Sequence, residues 1–453
     1  MRTQKSVRIP VGTNFPNTVS HIYQQFLLFL GHQIQEFLMT GYICLFEDNK
    51  AEDFLPLVYF RPVYDLRCGI LTLKEKVEKY LSTDKIMLHC RPFLGETVSQ
   101  NNSGEKVNSL PGGEIIFING RAVLNEYLAD KIKDLTPNSA IISGSQLFAA
   151  RLDSLNSEIF FNSLPETDGY KNIPGIKLTE DDIKLAEYPW DLVSRNGEEI
   201  KSDYKLLTKD IKNPKYKNIL EHTSLINPEN IFIGEGSVIH PFVLLDASDG
   251  PIYIGKNATV MSHTTIQGPC FIGDNSSIKI GAKIYHECSI GEVCKVGGEI
   301  ENSIIHSYSN KQHDGFLGHS YLGSWVNLGA GTNNSDLKNN YENIKIIING
   351  KKTDTGLQFV GLIMGDHSKT AIGTTFNTGT VCGVSCNIFG AGFPRTYIPS
   401  FSWGGASGFV TYKLDKCLEV AKKVMSRRKI EMTAKDEELF GSIFEMTSSE
   451  RKN

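Results

Sequence analysis

A long apolar run, a surplus of basic residues and closely paired cysteines are all missing from this sequence of 453 residues. The longest apolar run near the start, 26–30, is too short to span a bilayer, so no membrane partner is expected. A net charge of -4 leaves no basic excess for binding nucleic acid. Nine cysteines without a CxxC pair fit neither a disulfide framework nor a zinc site. These absences predict a cytoplasmic, globular protein of two or three domains.

The first half of the chain is predicted to contain a leader and an α/β domain. Residues 1–40 are weakly patterned, and we expect either an upstream extension of the reading frame or a loosely attached helix, with a targeting segment as a third alternative. Over 41–215, short apolar strands (YICLF, IMLHC and EIIFING) alternate with helical stretches at 72–80 and 183–193. This alternation predicts a mainly parallel sheet covered by helices.

The second half of the chain repeats itself every six residues. Aliphatic side chains occupy each sixth position from 254 to 296, and the same step returns after 316 and after 364. Neither a helix nor a meander has this period, whereas three strands of a hexapeptide repeat complete one coil of a left-handed parallel β-helix. Five cysteines fall on the repeat and are expected to be buried packing residues: Cys270, Cys288, Cys294, Cys382 and Cys386.

The β-helix is predicted over 216–410, with a polar insertion at 333–358 and a helical segment at 411–453. Insertions in a solenoid project from one face and usually build the binding site. The amphipathic stretch 414–428 is expected to cover the open end of the β-helix. Histidine, asparagine and lysine concentrate over 313–346, and acyl transfer from CoA to an amine needs a base, donors for the thioester oxygen and cations for a phosphate.

The segment HDGFLGHSYLGSWVNLGAGTNNSDLKNN resembles the acyltransferase half of the bifunctional N-acetylglucosamine-1-phosphate uridylyltransferase and glucosamine-1-phosphate acetyltransferase family. That family's pattern is H-L-x-Y-x-G, then V-N-x-G-A-G-T, then a polar loop. The resemblance implies that His313 is the catalytic base and Asn327 the oxyanion-side asparagine, with acetyl-CoA as cosubstrate. It also implies a homotrimer with CoA sites between the β-helices of neighbouring copies. His319, six residues after His313, is a rival base.

Two departures from the family pattern bear on the acceptor. Phe316 replaces the tyrosine after the catalytic histidine, and Asp336 replaces the asparagine of the polar loop, so the geometry or identity of the substrate is open. The side chains of Tyr321, Asn333 and Asn334 are candidates to compensate. Candidates for the phosphate of a sugar phosphate, or alternatively members of a solvated face, are Lys311, Lys338 and Lys345.

The front domain lacks a GxGTR loop after its first strand, YICLFED. Its LPL, RP and LRxGI elements nevertheless resemble a divergent branch of sugar nucleotidyltransferases, in which the domain is fused to such a β-helix. The resemblance implies that Arg61, Arg67 and Lys76 hold the phosphates of a nucleoside triphosphate and that Asp48 approaches Mg²⁺. Alternatively, Arg61 and Arg67 form fold-fixing ion pairs in a domain that has lost catalysis.

Three hypotheses for function remain open at this point. The first is a bifunctional transferase of UDP-N-acetylglucosamine-type synthesis, which acetylates glucosamine 1-phosphate and then transfers a nucleotidyl group to the sugar 1-phosphate. The second retains only one of these activities, on another sugar phosphate. The third is a non-catalytic, trimeric scaffold that binds a sugar nucleotide.

Overall fold

The computed structural model describes residues 41–83, 85–166, 168–181, 183–211 and 219–452. The predicted leader, 1–40, lies outside the described residues. An α/β front domain is followed by a left-handed parallel β-helix and by two C-terminal helices, as the sequence predicts. Among the described helices, none combines the length and the apolar character that crossing a bilayer requires.

The front domain is built on a sheet whose seven strands are, in chain order, Tyr42–Phe46 (β1), Ile86–His89 (β2), Lys106–Val107 (β3), Ile115–Asn119 (β4), Ser139–Ser143 (β5), Gln146–Leu152 (β6) and Lys177–Glu180 (β7). Their spatial order is β3-β2-β1-β4-β6-β5-β7. Strands β1 to β4 pair in parallel, β5 pairs in parallel with β7, and β6 lies antiparallel to β4 and β5. The predicted, mainly parallel sheet is therefore confirmed.

Five helices flank this sheet: Leu73–Leu81 (α1), Gly95–Asn101 (α2), Glu126–Lys133 (α3), Ser154–Ser163 (α4) and Pro189–Thr208 (α5). The first matches the helix predicted over 72–80, because Thr72 and Glu75 form a capping box at its start. The helix predicted over 183–193 begins only at Pro189, because proline suits the first helical turn and the Asp191 carboxylate caps the backbone N–H of Tyr188.

The β-helix has three faces, each formed by short strands stacked in parallel, with one antiparallel hairpin at the end of the first. Face 1 consists of Val238–Ile239, Thr259–Val260, Ser277–Ile278, Lys295–Val296, Asn310–Lys311, the bridging residue Asn327, Lys369–Thr370, Asn387–Ile388, Ser402–Gly405 and Gly408–Thr411. Face 2 consists of Ser224–Ile226, Leu244–Asp246, Thr265–Gln267, Lys283–Ile284, Glu299–Glu301, Phe316–Gly318, Asn333–Asn334 and Thr375–Phe376. Face 3 consists of Ile231–Ile233, Ile252–Ile254, Cys270–Ile272, Cys288–Ile290, Ile304–Ile305, Tyr321–Leu322, Ile363–Met364, Val381–Cys382 and Tyr397–Ile398.

The interior of the β-helix is filled by columns of the repeated aliphatic side chains. Ile254, Ile272 and Ile290 are register partners on face 3, and all three are fully buried. Burying one such side chain stabilises the fold by about 1.5–3 kcal/mol relative to leaving it exposed. The five cysteines of the repeat are buried as predicted. Burial raises the pKa of Cys294 to about 12, which keeps this side chain a thiol near neutral pH.

The insertion departs from its prediction in two respects. Asn333–Asn334 still belongs to face 2, so the chain leaves the β-helix only after this strand. The remaining segment also contributes to the core, against the prediction, and it contains an antiparallel hairpin of Lys345–Ile348 and Lys351–Asp354. Three isoleucines of this segment pack into a core shared with face 3: Ile344, Ile346 and Ile348.

The C-terminal helices are Leu414–Ser426 (α6) and Ala434–Met446 (α7), and α6 does not cover the open end of the β-helix as predicted. It leads back from the last strand, Gly408–Thr411, along the side of the β-helix, so that Arg428 just beyond it donates to Asn310 of a much earlier coil. Helix α6 nevertheless confirms the amphipathic helix predicted from the sequence.

Helix α7 contacts α2 of the front domain, where Lys435 donates to Glu96. Buried side chains of both helices, among them Cys417 and Phe440, join the same hydrophobic core as the front domain. This segment therefore links the two larger domains.

The front domain docks on face 3 through Arg67. Its backbone N–H donates to the Tyr321 hydroxyl at 2.8 Å, and the same hydroxyl donates to the Arg67 carbonyl at 3.0 Å. The guanidinium group donates to Glu292 at 2.7 Å and lies 5.0 Å from the centre of the Phe271 ring. Backbone, charge and aromatic contacts of one residue thus hold the two domains together.

We expect Tyr321→Phe to lower the free energy of unfolding by about 1–3 kcal/mol, because it leaves the buried backbone groups of Arg67 without their partner. Denaturant unfolding followed by fluorescence measures the change. Tyr308→Phe is the matched control, since the Tyr308 hydroxyl has no hydrogen-bond partner among the described residues. Equal midpoints for the two variants would contradict this role of Tyr321.

Candidate functional site

A histidine and an aspartate meet at the edge of face 2, where the insertion begins. His319 follows the strand Phe316–Gly318, and Asp336 follows Asn333–Asn334 one coil further along. The Nδ1 atom of His319 lies 2.8 Å from Oδ2 of Asp336. The imidazole also stacks on the Phe359 ring, with 4.9 Å between the ring centres.

The arrangement around His319 suits proton transfer. Its side chain is 20% exposed, so the ring is held by neighbours and still reaches solvent. A carboxylate at Nδ1 favours the tautomer that carries its proton there, and this leaves a lone pair on Nε2. Phe359 was not predicted from the sequence, because it lies outside the motif. It reaches His319 where the chain returns to the β-helix after the insertion.

Asn333 and Asn334 extend face 2 with their side chains. Oδ1 of Asn333 accepts from the backbone N–H of Phe316 at 2.7 Å, and Oδ1 of Asn334 accepts from Gly318 at 3.1 Å. Nδ2 of Asn334 donates back to the Gly318 carbonyl at 3.1 Å. These amides replace the backbone ladder at the position where the strand pairing is interrupted. Their polar atoms are therefore engaged within the β-helix.

Lys311 ends the face 1 strand Asn310–Lys311, and His313 follows it in the turn to face 2. The His313 side chain is exposed, whereas its carbonyl accepts from Nζ of Lys311 at 2.9 Å. Lys311 also donates to the Gly297 carbonyl at 2.9 Å and is buried, and burial lowers the pKa of Lys311 to about 8. The geometry thus gives Lys311 a structural position in place of the predicted contact with a phosphate.

Four cations gather on face 1 without carboxylate partners in the described part of the chain: Lys279, Lys295, Arg427 and Arg428. Partial burial, followed by the charges of Arg428, Lys279 and Arg427, lowers the pKa of Lys295. Nη2 of Arg428 donates to Oδ1 of Asn310 at 2.8 Å. Asn310 is in turn the register partner of both Lys295 and Asn327. We call these four residues the face 1 cation cluster.

The cluster places positive charge beside Asn327. A concentration of unpaired cations favours an anionic ligand such as a phosphate. In the sequence only Arg427 and Arg428 stand together, at the end of the amphipathic stretch 414–428, because the other two members of the cluster lie more than 100 residues earlier in the chain. Lys279 and Lys295 come from two successive coils, so that only the winding of the β-helix brings them to Arg427 and Arg428.

Three other predicted site residues lie elsewhere. Tyr321 is fully buried against Arg67, so it holds the domains together and has no access to a groove. Nζ of Lys338 donates to the carbonyl of Asn343 at 3.0 Å, and Lys345 lies 3.7 Å from Asp354 across the exposed hairpin. Both lysines belong to the insertion itself.

The cations predicted to bind a nucleotide are all engaged in ion pairs. Arg61 pairs with Asp366 of the β-helix and Arg67 with Glu292. Lys76 is fully buried and donates to Asp203 at 2.6 Å and to Glu199 at 2.7 Å. Burial alone would lower the pKa of Lys76, but the two carboxylates raise it above its ordinary value. The geometry agrees with the alternative that Arg61 and Arg67 form fold-fixing ion pairs, and Lys76 is paired as well.

Asp48 does not fit a site for Mg²⁺. Both of its carboxylate oxygens accept from the Arg121 guanidinium, at 3.0 and 2.7 Å, and Asn119 donates to Oδ2 at 2.8 Å. The pair is buried, and the positive charge of Arg121 already compensates the negative charge of the Asp48 carboxylate, which would otherwise be available to a metal ion. In the described part of the chain, no group of three acidic, histidine or cysteine side chains has the arrangement of a metal site.

Comparison with known proteins gives matches that cover part of the chain. Residues 43–212 match the family model described as sugar nucleotidyl transferase. The chain is 33% identical over 142 residues to a bifunctional sugar-1-phosphate nucleotidylyltransferase/acetyltransferase of Sulfurisphaera tokodaii, covering 31% of this chain and 35% of the relative. It is 31% identical over 90 residues to the bifunctional protein GlmU of Methanocaldococcus jannaschii, covering 20% of this chain and 22% of the relative. The chain thus spans about a third or less of these relatives.

The solved structures add no argument about function. A crystal structure of UDP-N-acetylglucosamine acyltransferase shares 15% identity over 52% of this chain and 81% of that chain, with a TM-score of 0.25. The fold therefore rests on the strand pairings of the chain itself. The sequence matches confirm the resemblance: this chain joins a domain that matches the sugar nucleotidyl transferase family to a β-helix, and it is similar to bifunctional nucleotidylyltransferase/acetyltransferases.

Proposed function

We propose that the β-helix transfers an acyl group from acetyl-CoA to the amine of a sugar phosphate, with glucosamine 1-phosphate as the first substrate to test. The observation that carries this proposal is the contact between His319 and Asp336. An imidazole fixed by a carboxylate and open to solvent on one side is suited to accept the proton of an attacking amine. The match to nucleotidylyltransferase/acetyltransferases supports the same chemistry.

The proposed step uses Nε2 of His319 as the general base. The amine nitrogen attacks the thioester carbonyl while Nε2 takes its proton, and the carbon–sulfur bond then breaks. The proton passes from the imidazolium to the leaving thiolate, so that the products are an amide and the free thiol of CoA. Asp336 stabilises the imidazolium between these two transfers. His313, which aligns with the base of the family, is the second candidate for this role.

The face 1 cation cluster is proposed to bind phosphate groups of acetyl-CoA or of the sugar phosphate. Asn327, beside the cluster, is the proposed donor to the developing oxyanion. His319 lies at the edge between faces 2 and 3, whereas the cluster lies on face 1. One shared site therefore requires a second copy of the chain, which agrees with the homotrimer implied by the family.

We expect His319→Ala to reduce acyl transfer by about 10²- to 10⁴-fold, the usual contribution of a general base. Release of the CoA thiol in the presence of glucosamine 1-phosphate measures the rate. Asp336→Asn should reduce kcat with little change in KM, because it removes the carboxylate that orients the ring. His313→Ala is the matched comparison. Loss of activity in His313→Ala alone would move the base to His313, and full activity in both variants would refute the proposed site.

A mixing experiment tests whether the site is shared between copies. Lys295→Met combined with Arg428→Met should raise the KM for acetyl-CoA or for the sugar phosphate, because it removes two of the four cluster cations. When this double variant is coexpressed with His319→Ala, some assemblies combine an intact cluster with an intact His319. We expect partial recovery of activity. No recovery in a proven mixed assembly would contradict a site between copies.

A second candidate function, nucleotidyl transfer by the front domain, is favoured by the match over residues 43–212. Pyrophosphate release from a panel of nucleoside triphosphates, with N-acetylglucosamine 1-phosphate as acceptor, measures this activity. Because Arg61, Arg67, Lys76 and Asp48 are all engaged within the protein, we expect this activity to be absent or much weaker than acyl transfer. Efficient pyrophosphate release would establish the bifunctional enzyme, and absence of both activities would favour the non-catalytic scaffold.

A further inference from the structure

A cavity of about 880 Å³ lies where the front domain, the β-helix and the C-terminal helices meet. Its wall on the β-helix is the edge between faces 3 and 1, where Tyr308, Trp325 and His367 stack in successive coils. His319 lies at the opposite edge of face 3. The cavity is therefore separate from His319 and Asp336 of the proposed acyl-transfer site, and its volume is in the range of small-molecule sites.

The lining of this cavity carries an excess of negative charge. It includes three cations, Arg61, Arg67 and Lys74. The carboxylates are more numerous: Asp65, Glu75, Glu78, Glu292, Asp366, Glu431 and Asp436. Each of the three cations already has a carboxylate partner. The net negative charge of the lining favours a positively charged ligand over an anion such as a nucleotide.

Asp65 is the carboxyl group best placed for such a ligand. Its side chain makes no hydrogen bond or ion pair within the described residues, and only its backbone is engaged: the N–H donates to the Pro62 carbonyl at 3.1 Å, and the carbonyl lies 3.1 Å from Nε2 of His306. Burial raises the pKa of Asp65 to about 7, although the nearby charges of Lys74 and Arg61 oppose this shift. The neighbouring carboxylates, Glu47 and Glu75, add to it. A cationic ligand would stabilise the ionised form of Asp65.

We propose that this cavity binds an organic amine that carries hydroxyl groups, with its ammonium group paired with Asp65 and its hydroxyl groups donating to the surrounding carboxylates. A hydroxyl group donates one hydrogen bond and can accept others, so it suits a lining rich in carboxylates. An apolar molecule would leave the Asp65 carboxyl group without a partner. This inference goes beyond the proposed acyl transfer, because it assigns a second binding site at another edge of the β-helix.

The test compares two sugars that differ at the amine, using the full chain with His319→Ala so that the acyl-transfer site is disabled. Glucosamine is the cationic probe, and N-acetylglucosamine is its neutral counterpart. We expect calorimetry to show glucosamine binding and at least about tenfold weaker binding of N-acetylglucosamine, the usual effect of losing a charged hydrogen bond. Absence of glucosamine binding, or equal binding of both sugars, would overturn the proposal.

Asp65→Asn should weaken glucosamine binding about tenfold while leaving the thermal unfolding midpoint close to that of the parent protein. Glu431→Gln, an exposed carboxylate on the same wall, is the matched control and should change binding much less. Between about pH 5.5 and 7 the affinity of the parent protein should rise with pH, because Asp65 ionises over this range. The Asp65→Asn protein should lack that dependence. Unchanged affinity in this variant would also overturn the proposal.

Discussion

The contact between Arg67 and face 3 is the interaction on which the rest of the structure depends. Through one residue the front domain engages the Tyr321 hydroxyl, the Glu292 carboxylate and the Phe271 ring. Because these groups come from three different coils, the contact sets both the position and the orientation of the front domain. Arg67 and Glu292 also line the interdomain cavity, whereas His319 lies at the edge between faces 2 and 3.

Ion pairs engage the side chains of the front domain that were predicted to bind a nucleotide or a metal. A buried charge is costly unless a partner compensates it, and here Asp48 compensates Arg121 while Asp203 and Glu199 compensate Lys76. The same pairs engage the side chains that the resemblance assigns to phosphates or a metal.

At the proposed acyl-transfer site, two departures from the family pattern are in contact in the folded chain. Taken alone, Asp336 in place of an asparagine and a second histidine at position 319 are two unrelated differences. One coil of the β-helix separates them, so the parallel register brings Nδ1 of His319 within 2.8 Å of the Asp336 carboxylate. The side chains of Asn333 and Asn334, by contrast, form hydrogen bonds with the preceding strand of face 2 and help to position this pair.

The sequence by itself determined the elements that depend on local periodicity. A step of six predicts the β-helix and the burial of Cys270 and Cys294, and apolar runs predict β1, β2 and β4, because inward and outward positions follow from strand geometry. The amphipathic pattern likewise predicts helix α6. Only the tertiary structure decided which charges meet: Arg61 with Asp366, the face 1 cation cluster and the unpaired Asp65. Electrostatic partners come from segments far apart in the chain, and a periodic pattern records whether a side chain is buried but not what faces it.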